Sequence, residues 1–119
     1  MFWLFKKQNR STMAQPPTKV ARLTYPFQIV LLVENLEEMN QEEEDLYSEI
    51  LTETAKYDIP VTVREYDLFH PDDSEYVRYL PSYHIYSKSR LKSTHSMSGN
   101  VRKRLDHWIQ KFEARFNRS

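Results

Sequence analysis

The sequence predicts an α/β fold in the order β-α-β-α-β-β-α, a mixed sheet with helices on both faces and an extended N-terminal arm. Phe27 to Val33 (FQIVLLV) is a nearly continuous apolar run rich in β-branched residues, the pattern of a strand covered on both faces. Val101, Leu105, Trp108, Ile109, Phe112 and Phe116 recur at steps of four, three, one, three and four, so one stripe of a helix is apolar. Between them, Ser82 to Ser87 (SYHIYS) alternates in the two-residue period of a strand.

Residues 1–25 show no sustained period and contain Pro16-Pro17, and they read as the arm; residues 26–119 form the domain. After the first strand, Leu36, Met39, Leu46, Tyr47, Ile50, Leu51 and Thr54 fall at helical spacing, which predicts a helix from about Leu36 to Tyr57, ended by Asp58-Ile59-Pro60. Val61 to Glu65 alternates and is the second strand. His70-Pro71-Asp72-Asp73 is a turn with a helix-start signal, and Tyr76, Val77 and Leu80 supply a short helix that Pro81 stops. After Ser82 to Ser87, Leu91 to His95 folds back as the fourth strand, and Ser98-Gly99-Asn100 offers caps for the last helix. A right-handed strand-helix-strand crossover makes the first pair parallel, and the later hairpin adds an antiparallel pair.

Composition narrows the function classes. The 119 residues are 39% hydrophobic and 29% charged, as in a folded domain with a packed core. There is no cysteine, which excludes disulfides, thiolate metal sites, iron-sulfur clusters and cysteine nucleophiles. The longest apolar run is far short of the roughly 20 residues that span a bilayer. Phe2-Trp3-Leu4-Phe5 precedes Lys6-Lys7, the reverse of a secretory signal, so the expected address is the cytoplasm or an intracellular assembly, a virion included. Charge is segregated along the chain. Residues 1–33 carry five basic and no acidic side chains, 34–75 two basic and fifteen acidic, and 76–119 ten basic and two acidic. If the acidic middle gathers on one face, the molecule has a large dipole.

The element order, with FQIVLLVEN and PVTVREYDLF as the first strands and YLPSYHIYS placing a proline just before the third, resembles the thioredoxin and glutaredoxin superfamily over about Phe27 to Phe116. The resemblance implies that the Leu80-Pro81 bond is cis and that Leu80, Pro81 and Ser82, with the loop Asn35 to Met39, form a peptide-facing edge. Redox-active members carry Cys-x-x-Cys at the start of the first helix, where the helix N-terminus stabilises a thiolate. Here that stretch is Glu34-Asn35-Leu36-Glu37-Glu38-Met39, and Glu37 and Glu38 argue against capture of glutathione by its carboxylates.

Other chemistry finds little footing. Glu42-Glu43-Glu44-Asp45, with Glu37, Glu38 and Glu49, fan around a helix rather than converge, as a solvated face or an acidic docking surface does. His70, His84, His95 and His107 lack the spacing of a helical metal pair, and His84 reads as a half-buried packing residue. A single glycine, Gly99, rules out phosphate-cradling loops and the usual serine-nucleophile turn. Lys88, Arg90, Lys92, Arg102-Lys103-Arg104, Lys111, Arg115 and Arg118, with Tyr83 and Tyr86 nearby, form either a solvated helix face or a strip for nucleic acid. Arg102, Lys103 and Arg104 sit in a first helical turn, where the macrodipole disfavours cations by roughly 0.3 to 1 kcal/mol each, so a partner's anions or the acidic helix must compensate.

The expectation is a redox-inactive binding module without metal, cofactor or catalytic residues. It acts as an adaptor or structural subunit of an assembly, one concrete version being a minor capsid protein of a virus particle. Its protein-binding residues are Phe2, Trp3, Leu4 and Phe5 of the arm, the edge Leu80, Pro81 and Ser82, and the basic turn Arg102, Lys103 and Arg104. Three aromatics in four residues suit an anchor in a neighbour's groove, while packing on their own domain, disorder or a membrane surface are the alternatives. A nucleic-acid binder using the basic strip of the last helix is the second reading.

Overall fold

Alternation along the first strand divides the molecule into two layers. The computed structural model describes residues 24–96 and 100–117. Its strands are β1 (Phe27–Val33), β2 (Val61–Glu65), β3 (Ser82–Ser87) and β4 (Arg90–Ser96), and its helices α1 (Gln41–Thr54), α2 (Pro71–Tyr76) and α3 (Val101–Asn117). The sheet order is β2-β1-β3-β4, with β1 and β2 parallel and the other two pairs antiparallel. The weakly patterned stretch after Arg90 does form the fourth strand.

Phe27, Ile29, Leu31 and Val33 point to one face, where they meet Tyr83 and Ile85 of β3, Leu46 and Ile50 of α1, and Val101, Leu105 and Ile109 of α3. Burying such side chains is worth about 1.5 to 3 kcal/mol apiece, so this is the main core. Val30 and Leu32 point to the other face and pack with Val77, Tyr66, Leu80 and Tyr86. That second layer is carried by the short α2 and the chain on either side of it. Tyr25, just ahead of β1, packs against Tyr57 and Phe112, and its hydroxyl donates to the Glu113 carboxylate.

The start of α1 differs from the expected Leu36. Asn40 caps it: its side chain accepts the N–H of Glu43 at 2.8 Å, and the Glu43 carboxylate accepts the N–H of Asn40 at 2.9 Å. This capping box fixes the first turn at Gln41, and Leu36 stays in the loop, its N–H on Glu65 Oε2 at 2.9 Å. The last turn tightens into a 3-10 turn over Ala55–Tyr57, and Asp58 leaves it in the left-handed region at φ 57°. The Leu80-Pro81 bond is cis, as the resemblance implies.

Candidate functional site

Two features converge on the second face of the sheet: a buried polar network and the groove beside it. The network is built on Asp73, whose place on α2 is set by His70, the residue before the helix; the His70 Nδ1 accepts the Asp72 N–H at 3.2 Å. Asp73 is fully buried. Arg64 of β2 grips it with both ends of its guanidinium, at 2.6 and 2.9 Å, and the Asp67 N–H adds a bond at 2.9 Å. His84 of β3, also fully buried, completes the set with Nε2 2.9 Å from Asp73 Oδ1 and Nδ1 2.7 Å from Thr94 Oγ1.

Burial works to raise the Asp73 carboxyl, but the Arg64 fork, the Asp67 N–H and His84 overcome it and bring it down to about 2. Burial lowers His84 from its ordinary value, against the pull of Asp73. A neutral imidazole between an ionised carboxylate and a hydroxyl has one consistent tautomer. Nε2–H donates to Asp73, and Nδ1 accepts from Thr94. Hydroxyl, imidazole and carboxylate in line resemble a hydrolase triad, yet with His84 wholly enclosed no substrate reaches the ring. What the network does is hold α2 and its flanking loops onto β2 and β3.

Those loops carry the groove. Glu34, Tyr66, Val77, Arg78, Tyr79 and Leu80 line a cleft of about 400 Å³. Backbone hydrogen bonding reaches Val77, whose N–H meets Asp73 O at 2.9 Å; among the described residues none is made by the N–H groups of Arg78, Tyr79 or Leu80. Tyr79 is 71% exposed, and the same segment exposes Leu68, Phe69 (90%) and Tyr76. Of the expected edge residues, Leu80 lines the cleft, whereas Pro81 and Ser82 are buried beneath it. The Ser82 hydroxyl donates to Tyr79 O and lies 3.0 Å from Ser96 Oγ, tying the groove wall to β4.

At the other expected half of the edge, the start of α1 is already occupied by the chain itself. The Glu43 carboxylate is buried and accepts the N–H groups of Glu34 and Asn40 at 3.0 and 2.9 Å. A helix N-terminus that could attract a ligand's anion is filled by an internal one.

The expected basic strip is split. Arg102, Lys103 and Arg104 are exposed at the start of α3, and Glu49 of the acidic helix shares a cleft with Arg102 and Lys103, which supplies compensating charge within the molecule. Lys88, Arg90, Lys92, Lys111 and Arg115 gather instead at the far end of α3. Tyr83 and Tyr86 belong to neither group. Tyr83 is buried in the main core, and Tyr86 donates to Asp72 at 2.7 Å. Phe2, Trp3, Leu4 and Phe5 lie outside the described residues, as do Gly99 and Arg118.

A parallel β1-β2 pair, antiparallel β3 and β4, helices α1 and α3 on one face, and a cis proline immediately before β3 together define the architecture. The fold is thioredoxin-like. Among solved structures the chain is similar to the oxidised thioredoxin from Plasmodium falciparum, at 15% identity over 74% of this chain and 82% of that one, with a TM-score of 0.44. No protein-family model matches the chain, and no curated protein matches it. Thioredoxin chemistry needs cysteine sulfur at the start of α1, and this thioredoxin-like chain has none. Among the described residues no three His, Asp or Glu side chains converge to hold a metal ion, and no helix is long and apolar enough to cross a membrane.

Proposed function

We propose that the chain is a redox-inactive thioredoxin-like module that binds partner proteins, as an adaptor or a structural subunit, through the groove of Tyr66, Val77, Arg78, Tyr79 and Leu80. The observation that carries this reading is the solvent-facing aromatic surface at the groove. Tyr79 is 71% exposed on its wall, and Phe69 is 90% exposed in the loop held by the same buried network. Aromatic side chains dominate binding hot spots, and rigid support lowers the ordering cost of binding. Beside them the N–H groups of Arg78, Tyr79 and Leu80 meet no backbone acceptor among the described residues, which suits an extended peptide that gains main-chain hydrogen bonds there. Glu34 on the rim, with Glu37 and Glu38 further along the same loop, favours a segment whose apolar side chains are flanked by cations. The sealing from solvent of the imidazole aligned with a carboxylate supports binding over catalysis at this network.

Peptides selected from a random-sequence library on the full chain test this. They are expected to shift the backbone amide resonances of Arg78, Tyr79 and Leu80 and to bind the Tyr79→Ala chain at least about tenfold more weakly, the scale of one aromatic hot spot. Peptides that bind Tyr79→Ala equally well, or a selection that enriches nothing, overturn the reading. The arm residues Phe2, Trp3, Leu4 and Phe5 are assigned to assembly contacts on their composition. Light scattering on the full chain and on a chain beginning at Met13 checks this: self-association confined to the full chain supports it, and identical monomers remove it.

A further inference from the structure

The cleft between the β3-β4 turn and the end of α3 is built from three unusual local choices. The two turn residues, Lys88 and Ser89, both take positive φ, 52° and 70°. Such a two-residue turn favours Asn and Gly, and a residue with a Cβ there costs roughly 1 to 2 kcal/mol. The tip nevertheless carries a lysine. Next, Ile85 pairs with Ser93 while Tyr86 pairs with Leu91, so Lys92 is the extra residue of a β-bulge. Regular alternation would send Lys92 and Ser93 to opposite faces. Instead the Ser93 hydroxyl accepts the Trp108 Nε1–H at 3.0 Å, and Lys92 lines a cleft with the same Trp108. The bulge turns Lys92 toward α3. Lastly, Lys111 and Arg115 are one helical turn apart and face the same cleft.

The result is two basic banks with an aromatic floor. Lys88, Arg90 and Lys92 stand on one side and Arg115 on the other of a cleft of about 480 Å³ that also takes in Phe112 and Phe116. Lys111 continues the second bank, its Nζ 5.3 Å from the Trp108 ring centre. Among the described residues no carboxylate side chain lines it. Phe116 is 54% exposed, its ring centre 6.3 Å from that of Phe112. The acidic start of α1 stands elsewhere, beyond the Val33 end of β1, whereas Ser87 at the cleft pairs with Phe27 at the other end; the nearer Glu113 has its carboxylate engaged by the Tyr25 hydroxyl.

We infer that this cleft binds single-stranded nucleic acid, with phosphates on Lys88, Arg90, Lys92, Lys111 and Arg115 and a base stacked on Phe116. Exposed ion pairs with a protein's carboxylates contribute little, whereas phosphate contacts gain from counterion release and a solvent-facing ring takes any base. That combination favours a nucleic-acid strand over an acidic protein segment. This site shares no residue with the peptide groove, and either can fail without the other.

Fluorescence anisotropy of labelled oligo-dT and oligo-U against the full chain, across a salt series, tests it. Binding is expected at low salt, with log affinity falling against log salt by about 0.7 per phosphate contacted. The double variant Lys92→Gln with Lys111→Gln is expected to flatten that slope by about 1.4. Phe116→Ala is expected to weaken binding about tenfold and leave the slope unchanged, which a purely ionic attraction would not produce. Absence of binding at low salt overturns the proposal. So does affinity indifferent to Phe116→Ala, or a poly-glutamate probe that binds as tightly as the oligonucleotides.

Discussion

Asp73 sits where a carboxylate is most expensive, and its three partners are what make it tolerable. Removing the charge strands the Arg64 guanidinium, so Asp73→Asn is expected to cost about 3 kcal/mol of stability, measured by urea denaturation. Because its folded-state value is depressed to about 2, Asp73 contributes stability that is present above pH 4 and is lost as pH falls from about 4 toward 2. A second decline comes earlier. Burial, then Arg104, lowers His95 to about 4, so the unfolded chain takes up a proton from about pH 6.5 downward while the folded chain resists until about 4. Thermal midpoints should therefore fall between pH 6.5 and 4, and His95→Phe should flatten that decline while leaving the one below pH 4 intact. None of this pairing was legible in the sequence. His84 reads as a half-buried packing residue, and nothing in the spacing of Arg64, Asp73 and His84 shows that a crossover and a hairpin bring them within hydrogen-bond distance.

Periodicity carried the elements well, and their ends less well. FQIVLLV, SYHIYS and the stripe from Val101 to Ile109 each met the structure, because the burial that defines those elements also sets their period. The start of α1 did not follow the stripe. Leu36 and Met39 continue the apolar spacing, but Asn40 and Glu43, three residues apart, are the reciprocal cap that ends the loop. Asn40→Ala is expected to cost about 1 kcal/mol, read as a lower urea midpoint with unchanged slope. The β3-β4 turn makes the opposite prediction. Ser89→Gly relieves a left-handed residue at some cost in unfolded-chain entropy, for a net gain of about 0.5 kcal/mol and a higher thermal midpoint. The bulge at Lys92 had no signal to find, since no glycine marks it and the alternation around it is weak.

Viewed whole, the sheet has two unlike ends. The Val33 and Ser82 end holds the loop of Glu34, Glu37 and Glu38, the start of α1 and the aromatic groove; the Phe27 and Ser87 end holds the basic cleft. The segregation along the chain, which composition alone left open, carries into space only in part, since Arg102 and Lys103 share a cleft with Glu49 and Arg78 lines the groove with Glu34, while the groove and the basic cleft themselves lie at opposite ends. It follows that saturating the aromatic groove with a selected peptide should change oligonucleotide affinity at the basic cleft by less than about twofold, as expected for separated sites. Competition between the two ligands would place them on one surface and contradict the arrangement. β3 is the rod that joins the ends, and its six residues set a separation of roughly 20 Å. A molecule filled at both ends acts as a short rigid tether. With both proposed ligands bound, it would hold a partner's segment near a nucleic-acid strand at an effective concentration on the order of mM, and two individually weak contacts would then add up to durable residence.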